Sequence, residues 1–148
     1  MISRFELLNK DRIVIEFEFS RDEIGKVNVS ETWRSDTEPL PIGYTNIRNW
    51  LTRRMAPRKR QHIDGLFKEY CCDAIDDYAR ISHALTLYDT FWVREEGSQL
   101  FWDDVSLYRN AFDITPALIA FEGRIYKVLV MRMSKILALV EGRRLVVM

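Results

Sequence analysis

Glycine is scarce and dispersed in this sequence: six residues, at positions 25, 43, 65, 97, 123 and 142. A Walker loop and a dinucleotide-binding fingerprint both need clustered glycines to bring backbone N–H groups against phosphate, so neither can form. Cysteine is limited to the adjacent pair Cys71 and Cys72, which rules out a disulfide scaffold and the spaced ligand pairs of a zinc ribbon. Histidine is limited to His62 and His83, with no His-Glu-x-x-His, and no nucleophile elbow is present. No metal and no cofactor is expected. No apolar run approaches the ~18–20 residues that span a bilayer, and the first residues lack the basic, apolar and small-residue succession of an export signal. The expectation is a cytoplasmic protein with no membrane partner.

What is present is ordinary globular material. The chain has 148 residues, 47% hydrophobic, 12% aromatic and 30% charged, enough to close a core without staples. One domain is expected over 1–148. Twenty-two Lys and Arg balance twenty-two Asp and Glu. Locally the balance fails. Residues 48–72 carry seven bases and two acids, whereas residues 73–113 carry nine acids and three bases. The sharpest cluster is Arg48, Arg53, Arg54, Arg58, Lys59 and Arg60. Such a run is either a solvated helix face or a surface for an anion, whether phosphate, nucleic acid or acidic protein.

Periodicity outlines an α+β fold: an N-terminal antiparallel hairpin or small sheet, a central cluster of short helices and a mixed C-terminal segment. Ile13, Ile15, Phe17 and Phe19 alternate with Val14, Glu16, Glu18 and Ser20, the period of a half-buried strand. Residues 2–8 can pair with it across Asn9-Lys10-Asp11. Val27, Val29 and Trp33 suggest a third strand with all three on one face. Two prolines and a glycine in 39–43 mark a connector. Thr45 is expected to cap a helix carrying Ile47, Trp50, Leu51 and Met55, and Pro57 to open a second with Ile63, Leu66, Phe67 and Tyr70. Asp73 is expected to cap a third, with Ile75, Tyr78, Ile81 and Leu85 and with His83 near its end, where a protonated ring would suit the dipole. Phe91-Trp92 and Phe101-Trp102 read as short extended pieces around a loop, and Asp103-Asp104 as the start of a brief helical turn through Val105 and Tyr108. Residues 117–121 fit a buried strand or a helix. Trp33, Trp50, Trp92 and Trp102 are read as core residues, although aromatic faces beside a basic run could also stack bases.

Residues 85–113 resemble a segment in the N-terminal region of HipA-like kinase proteins of Firmicutes and their mobile elements. The resemblance is carried by Asp89, Thr90, Phe91, Trp92, Glu96, Trp102, Asp104, Val105, Tyr108, Asn110 and Phe112, in order. Upstream, Pro39–Gly43 and the stretch from Trp50 to Arg60 look like the same family's helical lead, and Ala117–Gly123 also fits. The chain then reads as a β-rich start (1–38), a HipA-like N-terminal module (39–123) and a divergent apolar and basic tail (124–148). The resemblance stops short of the kinase body. No residue here answers to the phosphate-binding lysine, the catalytic aspartate or a magnesium ligand that phosphoryl transfer requires.

The resemblance therefore implies a non-catalytic, regulatory interaction protein whose partner is a protein such as a HipA-like kinase. Asp89, Phe91, Trp92, Glu96, Trp102, Asp104 and Tyr108 would form the partner-binding surface. Two other readings stand beside it: a phage or mobile-element inhibitor of a host defence nuclease complex, and a nucleic-acid-binding module using residues 48–60.

Overall fold

A computed structural model of the chain describes residues 1–55 and 63–110. Pro57, Arg58, Lys59, Arg60 and His62, the run 117–121 and the tail 124–148 lie outside the described residues. The described residues divide between two compact units: residues 1–55 with 74–110, and residues 63–73.

The larger unit is α+β. Strands β1 (Ile2–Asn9), β2 (Arg12–Arg21), β3 (Val27–Arg34) and β4 (Phe91–Glu95) form one antiparallel sheet in the order β3-β2-β1-β4. The first hairpin follows its hydrophobic alternation. Phe5 faces Phe17 and Leu7 faces Ile15, so one sheet face is apolar, and Lys10 takes the left-handed turn conformation with φ 53°. Phe5, Phe17 and Phe19 pack ring against ring, with centroids 5.1–5.8 Å apart.

Helices α1 (Ile47–Arg54) and α3 (Ile75–Ser82) bury their apolar residues against that face, joining Ile47, Trp50, Leu51 and Ala79 to the strand core. Asn46 caps α1, its side chain accepting the Asn49 N–H at 2.9 Å, in place of the expected Thr45. At α3 the cap is Ala74 rather than Asp73; its N–H is satisfied by the Asp77 carboxylate at 3.1 Å. An ion-pair network fastens α3 to the sheet. Arg21 donates to both oxygens of the buried Asp76 at 2.8 Å, and Arg80 donates to Ser3 and to Glu95 at 2.7 Å.

Trp33 departs from expectation: it is 48% exposed, on the sheet face away from Val27 and Val29. Glu31 pairs with Phe17 but Trp33 pairs with Glu16, so Thr32 is an extra residue. A one-residue bulge reverses the side-chain alternation beyond it, which sends Trp33 out.

A second, smaller core lies on that opposite face. Leu8, Trp92, Trp102 and Val105 are buried together, with Ile13, Leu85 and Leu100 against them. Trp102 does not continue an extended segment as expected; it opens a single helical turn, α4 (Trp102–Val105), and the Asp104 carboxylate accepts the Phe101 N–H at 3.1 Å. In the smaller unit, α2 (Ile63–Glu69) ends in a Schellman turn. The Cys72 N–H bonds to the Phe67 carbonyl at 2.8 Å and the Cys71 N–H to that of Lys68 at 3.2 Å, with Cys71 left-handed at φ 50°. Cys71 is exposed and Cys72 buried. Among the described residues, no helix is long and apolar enough to cross a membrane.

Candidate functional site

The turn of the first hairpin, the loop 84–90 and α4 converge at one end of the sheet. Hydrogen-bond parity explains how. Leu8 pairs with Trp92 and Glu6 with Arg94, and the same register carries the Lys10 N–H to the Thr90 carbonyl at 3.0 Å. The turn is then fixed by side chains. Thr90 donates to the Asn9 side chain at 2.6 Å, the Trp92 indole N–H to the Lys10 carbonyl at 2.6 Å, and the Trp102 backbone N–H to the Asp11 carboxylate at 2.7 Å. Both tryptophans are thereby held from the turn, and both are core: Trp92 is 0% exposed.

The odd-numbered residues of β4 point their backbone groups away from β1, and two side chains close that edge. His83, left-handed at the end of α3, accepts the Val93 N–H on its backbone carbonyl at 2.8 Å and meets the Val93 carbonyl with Nδ1 at 2.9 Å. Arg54 takes the Phe91 carbonyl at 3.2 Å. The same guanidinium donates to the Ala84 carbonyl at 2.8 Å, to Thr86 at 3.3 Å and to the Asp89 carboxylate, and it stacks 4.1 Å over the Trp50 ring. Its own carbonyl accepts the Tyr78 hydroxyl. Arg54 is thus the hub that shapes the loop 84–91.

From that held loop Leu87 and Tyr88 project outward. Tyr108, after α4, donates its hydroxyl to the Leu87 carbonyl, so Leu87 and Tyr108 are neighbours across a 21-residue separation. Tyr88 is 97% exposed and Tyr108 66% exposed. Asn110 bonds to the carbonyls of Asp103 and Ser106 at 3.0 Å, and so fixes the segment bearing Tyr108 onto α4.

The residues singled out from the sequence therefore have distinct placements. Of the aromatic and acidic set, Trp92 and Trp102 are buried and Phe91 is half-buried in the main core. Asp89 pairs with Arg54 and accepts the Phe91 N–H at 3.1 Å, Asp104 caps α4, and Glu96 lies 3.9 Å from Arg4 at the far end of β4. Tyr108 alone among them presents an exposed ring. Of the basic run, Arg48 donates to the Val27 carbonyl at 3.0 Å, Arg53 to that of Gly43 at 3.1 Å, and Arg54 to the hub just described. These three serve three separate backbone segments; Arg58, Lys59 and Arg60 are outside the described residues. Sequence reasoning did not single out Leu87, and reached Tyr88 only as the start of an aromatic stretch, 88–112, expected to supply anchors for a partner. Their one signal is position, two large side chains in the loop that follows a helix stop.

Among the titrating groups displaced by their surroundings are Glu31 and His83. The Glu31 carboxyl is half-buried, which opposes its charge, but hydrogen bonds from Tyr44, Arg34 and the Ile47 N–H outweigh that and hold it below its usual range. Burial pushes the His83 imidazole below its ordinary 6.5, against the opposing pull of the Val93 carbonyl and Glu95. This corrects the expected protonated ring at a helix C-terminus: the neutral ring packs edge-on to Trp92, with centroids 6.0 Å apart. Because the unfolded chain takes up this proton first, the stability His83 contributes is complete above pH 6.5 and declines as pH falls below it. Urea titrations between about pH 7.5 and 5.5 should show that decline, and His83→Asn, which tolerates the left-handed backbone, should flatten it. An unchanged slope in the variant would assign the titration to another group.

Among the described residues, no three or more His, Cys, Asp or Glu side chains are grouped to hold a metal ion. Two open hollows lie among the described residues, one of about 480 Å³ over Ile2, Ser3, Arg4, Glu95 and Glu96 and another of about 380 Å³ over α2 and its Schellman turn. What the hairpin end offers chemically is recognition, through exposed rings on a backbone that is held in place. Comparison with protein-family models, with curated proteins and with solved structures gives no match.

Proposed function

We propose that this chain acts in the cytoplasm as a non-catalytic interaction protein, similar to the N-terminal region of HipA-like kinases. It binds a protein partner such as a kinase of that type through Leu87, Tyr88 and Tyr108. One observation carries the reading: two tyrosines and a leucine stand exposed on segments that the Arg54 hub and the Tyr108–Leu87 bond hold rigid. Aromatic anchors fixed before binding lose little conformational freedom on association, which is how a few residues come to dominate an interface. The acidic and aromatic residues of the resembling segment contribute by building that platform.

The test is co-purification of the full chain with a co-expressed HipA-like kinase. Tyr88→Ala and Tyr108→Ala are each expected to weaken capture by about tenfold or more, the loss typical of an interface anchor. Tyr88→Ala should do so at unchanged thermal stability, because Tyr88 is 97% exposed. Capture that is unaffected by both substitutions, or no capture of such a kinase at all, would refute the proposal.

A further inference from the structure

The two edges of the sheet are finished differently. On β4 the outward groups other than the Glu95 N–H are taken: the Phe91 N–H by Asp89 and its carbonyl by Arg54, the Val93 N–H and carbonyl by His83, and the Glu95 carbonyl by the Ser98 N–H at 3.1 Å. On β3 the outward groups belong to the odd-numbered residues. The bond from the Asp22 N–H to the Lys26 carbonyl at 3.1 Å fixes this, because the register pairs Ser20 with Asn28 and Glu18 with Ser30 in the same phase and so turns Asn28 and Ser30 toward β2. Val27, Val29 and Glu31 then face outward. Arg48 takes the Val27 carbonyl, and the Thr32 bulge interrupts the edge beyond Glu31. Between these two stops, the backbone N–H and carbonyl groups of Val29 and Glu31 have no partner among the described residues, and the intervening Ser30 side chain is exposed.

We propose that this window is a self-association site, in which β3 pairs antiparallel with β3 of a second copy about a two-fold axis through Ser30. The residues themselves select that register. A ladder must join outward residues to outward residues, so odd numbers pair with odd. An axis through Glu31 would set two carboxylates face to face. An axis through Val29 would oppose Glu31 to Val27, whose carbonyl Arg48 already occupies. With the axis through Ser30, Val29 bonds reciprocally with Glu31 of the second copy at both ends of the window, using all the open groups. Glu31 enters that ladder with its charge already answered by Arg34 and Tyr44. On the opposite face Ser30 meets Ser30, and Asn28 meets Thr32, small polar side chains able to hydrogen-bond across strands. An unprotected edge recruits strands unless it is blocked, and here the blocks leave room for one short self-complementary ladder.

Sedimentation velocity of the full chain over a range of concentrations is expected to show a monomer–dimer equilibrium. Ser30→Lys places two ammonium groups opposite each other on the axis and should raise the dissociation constant by about tenfold or more, while the exposed position leaves the monomer's melting temperature unchanged. Val29→Pro removes the outward N–H, together with some packing of the half-buried Val29 side chain on the core, and should also abolish pairing. Cross-linking reads the register. In a Cys71→Ser background, Ser30→Cys should oxidise to a disulfide-linked dimer, because directly opposed residues of such a pair have Cα atoms about 4.5 Å apart. Asn28→Cys should not, its symmetry mate lying roughly 13 Å away. A chain that stays monomeric at every concentration would overturn the proposal, as would a dimer indifferent to Ser30→Lys or an Asn28→Cys cross-link forming as readily as the Ser30→Cys one. Loss of a different protein partner in Val29→Pro, with no dimer in the unmodified chain, would equally reject the second copy as occupant.

Discussion

Arg54→Met is expected to cost about 3–5 kcal/mol of folding stability, the scale of leaving two desolvated carbonyls unanswered at about 1–3 kcal/mol each while breaking a part-buried ion pair. The guanidinium side chain is 8% exposed, so its charge is already desolvated and its bonds to the Ala84 and Phe91 carbonyls have no water to replace them. Methionine can fill the space over Trp50 but leaves both carbonyls unanswered. A domain of this size is stable by only about 5–15 kcal/mol, so the variant should sit near its unfolding transition at ambient temperature. Asp89→Asn should cost less, because the guanidinium it deprives of a counter-ion keeps its bonds to the Ala84 and Phe91 carbonyls and to Thr86, and the new amide oxygen can still accept from it. Urea denaturation of both single variants and the double variant checks this. The double variant should be less destabilised than the sum, since the two groups share one interaction. Arg54→Lys should fall between, keeping the charge without the planar fork that reaches four partners. A cost for Arg54→Met below about 1 kcal/mol, the value of an exposed pair, would contradict the hub.

Trp92→Ala should be comparably severe, about 3–5 kcal/mol, because the largest wholly buried side chain of the described residues would leave a cavity in the smaller core. Its neighbours there are few, so collapse around the void would displace Trp102 and the α4 turn. The indole N–H contributes separately. Trp92→Phe keeps most of the packing but loses the 2.6 Å bond to the Lys10 carbonyl, which should cost a further ~0.5–1.5 kcal/mol beyond the volume change. Amide hydrogen exchange at Lys10 and Trp102 reads the structural consequence, because both amides are tied to this corner. Protection lost there while the Phe5–Phe17 core stays protected would locate the damage in the second core; uniform loss would make the two cores one cooperative unit.

The two substitutions bear on the proposed interface from opposite sides. Arg54 shapes the loop that carries Leu87 and Tyr88, and Trp92 anchors the corner from which α4 and Tyr108 depart. Neither touches a partner in the proposed arrangement, so both should weaken binding only as far as they loosen the platform. Tyr88→Ala should do the reverse, reducing binding at unchanged stability.

The sequence by itself determined the elements whose partners are close in the chain. The strict alternation of Ile13, Ile15, Phe17 and Phe19 requires a strand with one buried face, and its hairpin with residues 2–8 follows because a turn of two or three residues leaves little choice. The stripe Ile47, Trp50 and Leu51 likewise requires a helix, and the burial of Trp50, Trp92 and Trp102 follows from their size. Only the tertiary structure decided the fate of the charged groups. Arg54 finds Asp89 35 residues away, Arg48 finds the Val27 carbonyl 21 residues back, and Asp11 finds the Trp102 amide 91 residues on. In sequence these arginines look like a solvated or anion-binding run, because charge is legible but its partner is not. The same holds for Trp33. Its apolar character places it in a strand, but a single inserted residue, visible only once Glu16 and Trp33 are paired, chooses the face. Periodicity encodes which side of an element is apolar; which backbone groups remain open to be capped, or to recruit a second strand, depends on a register that no local pattern contains.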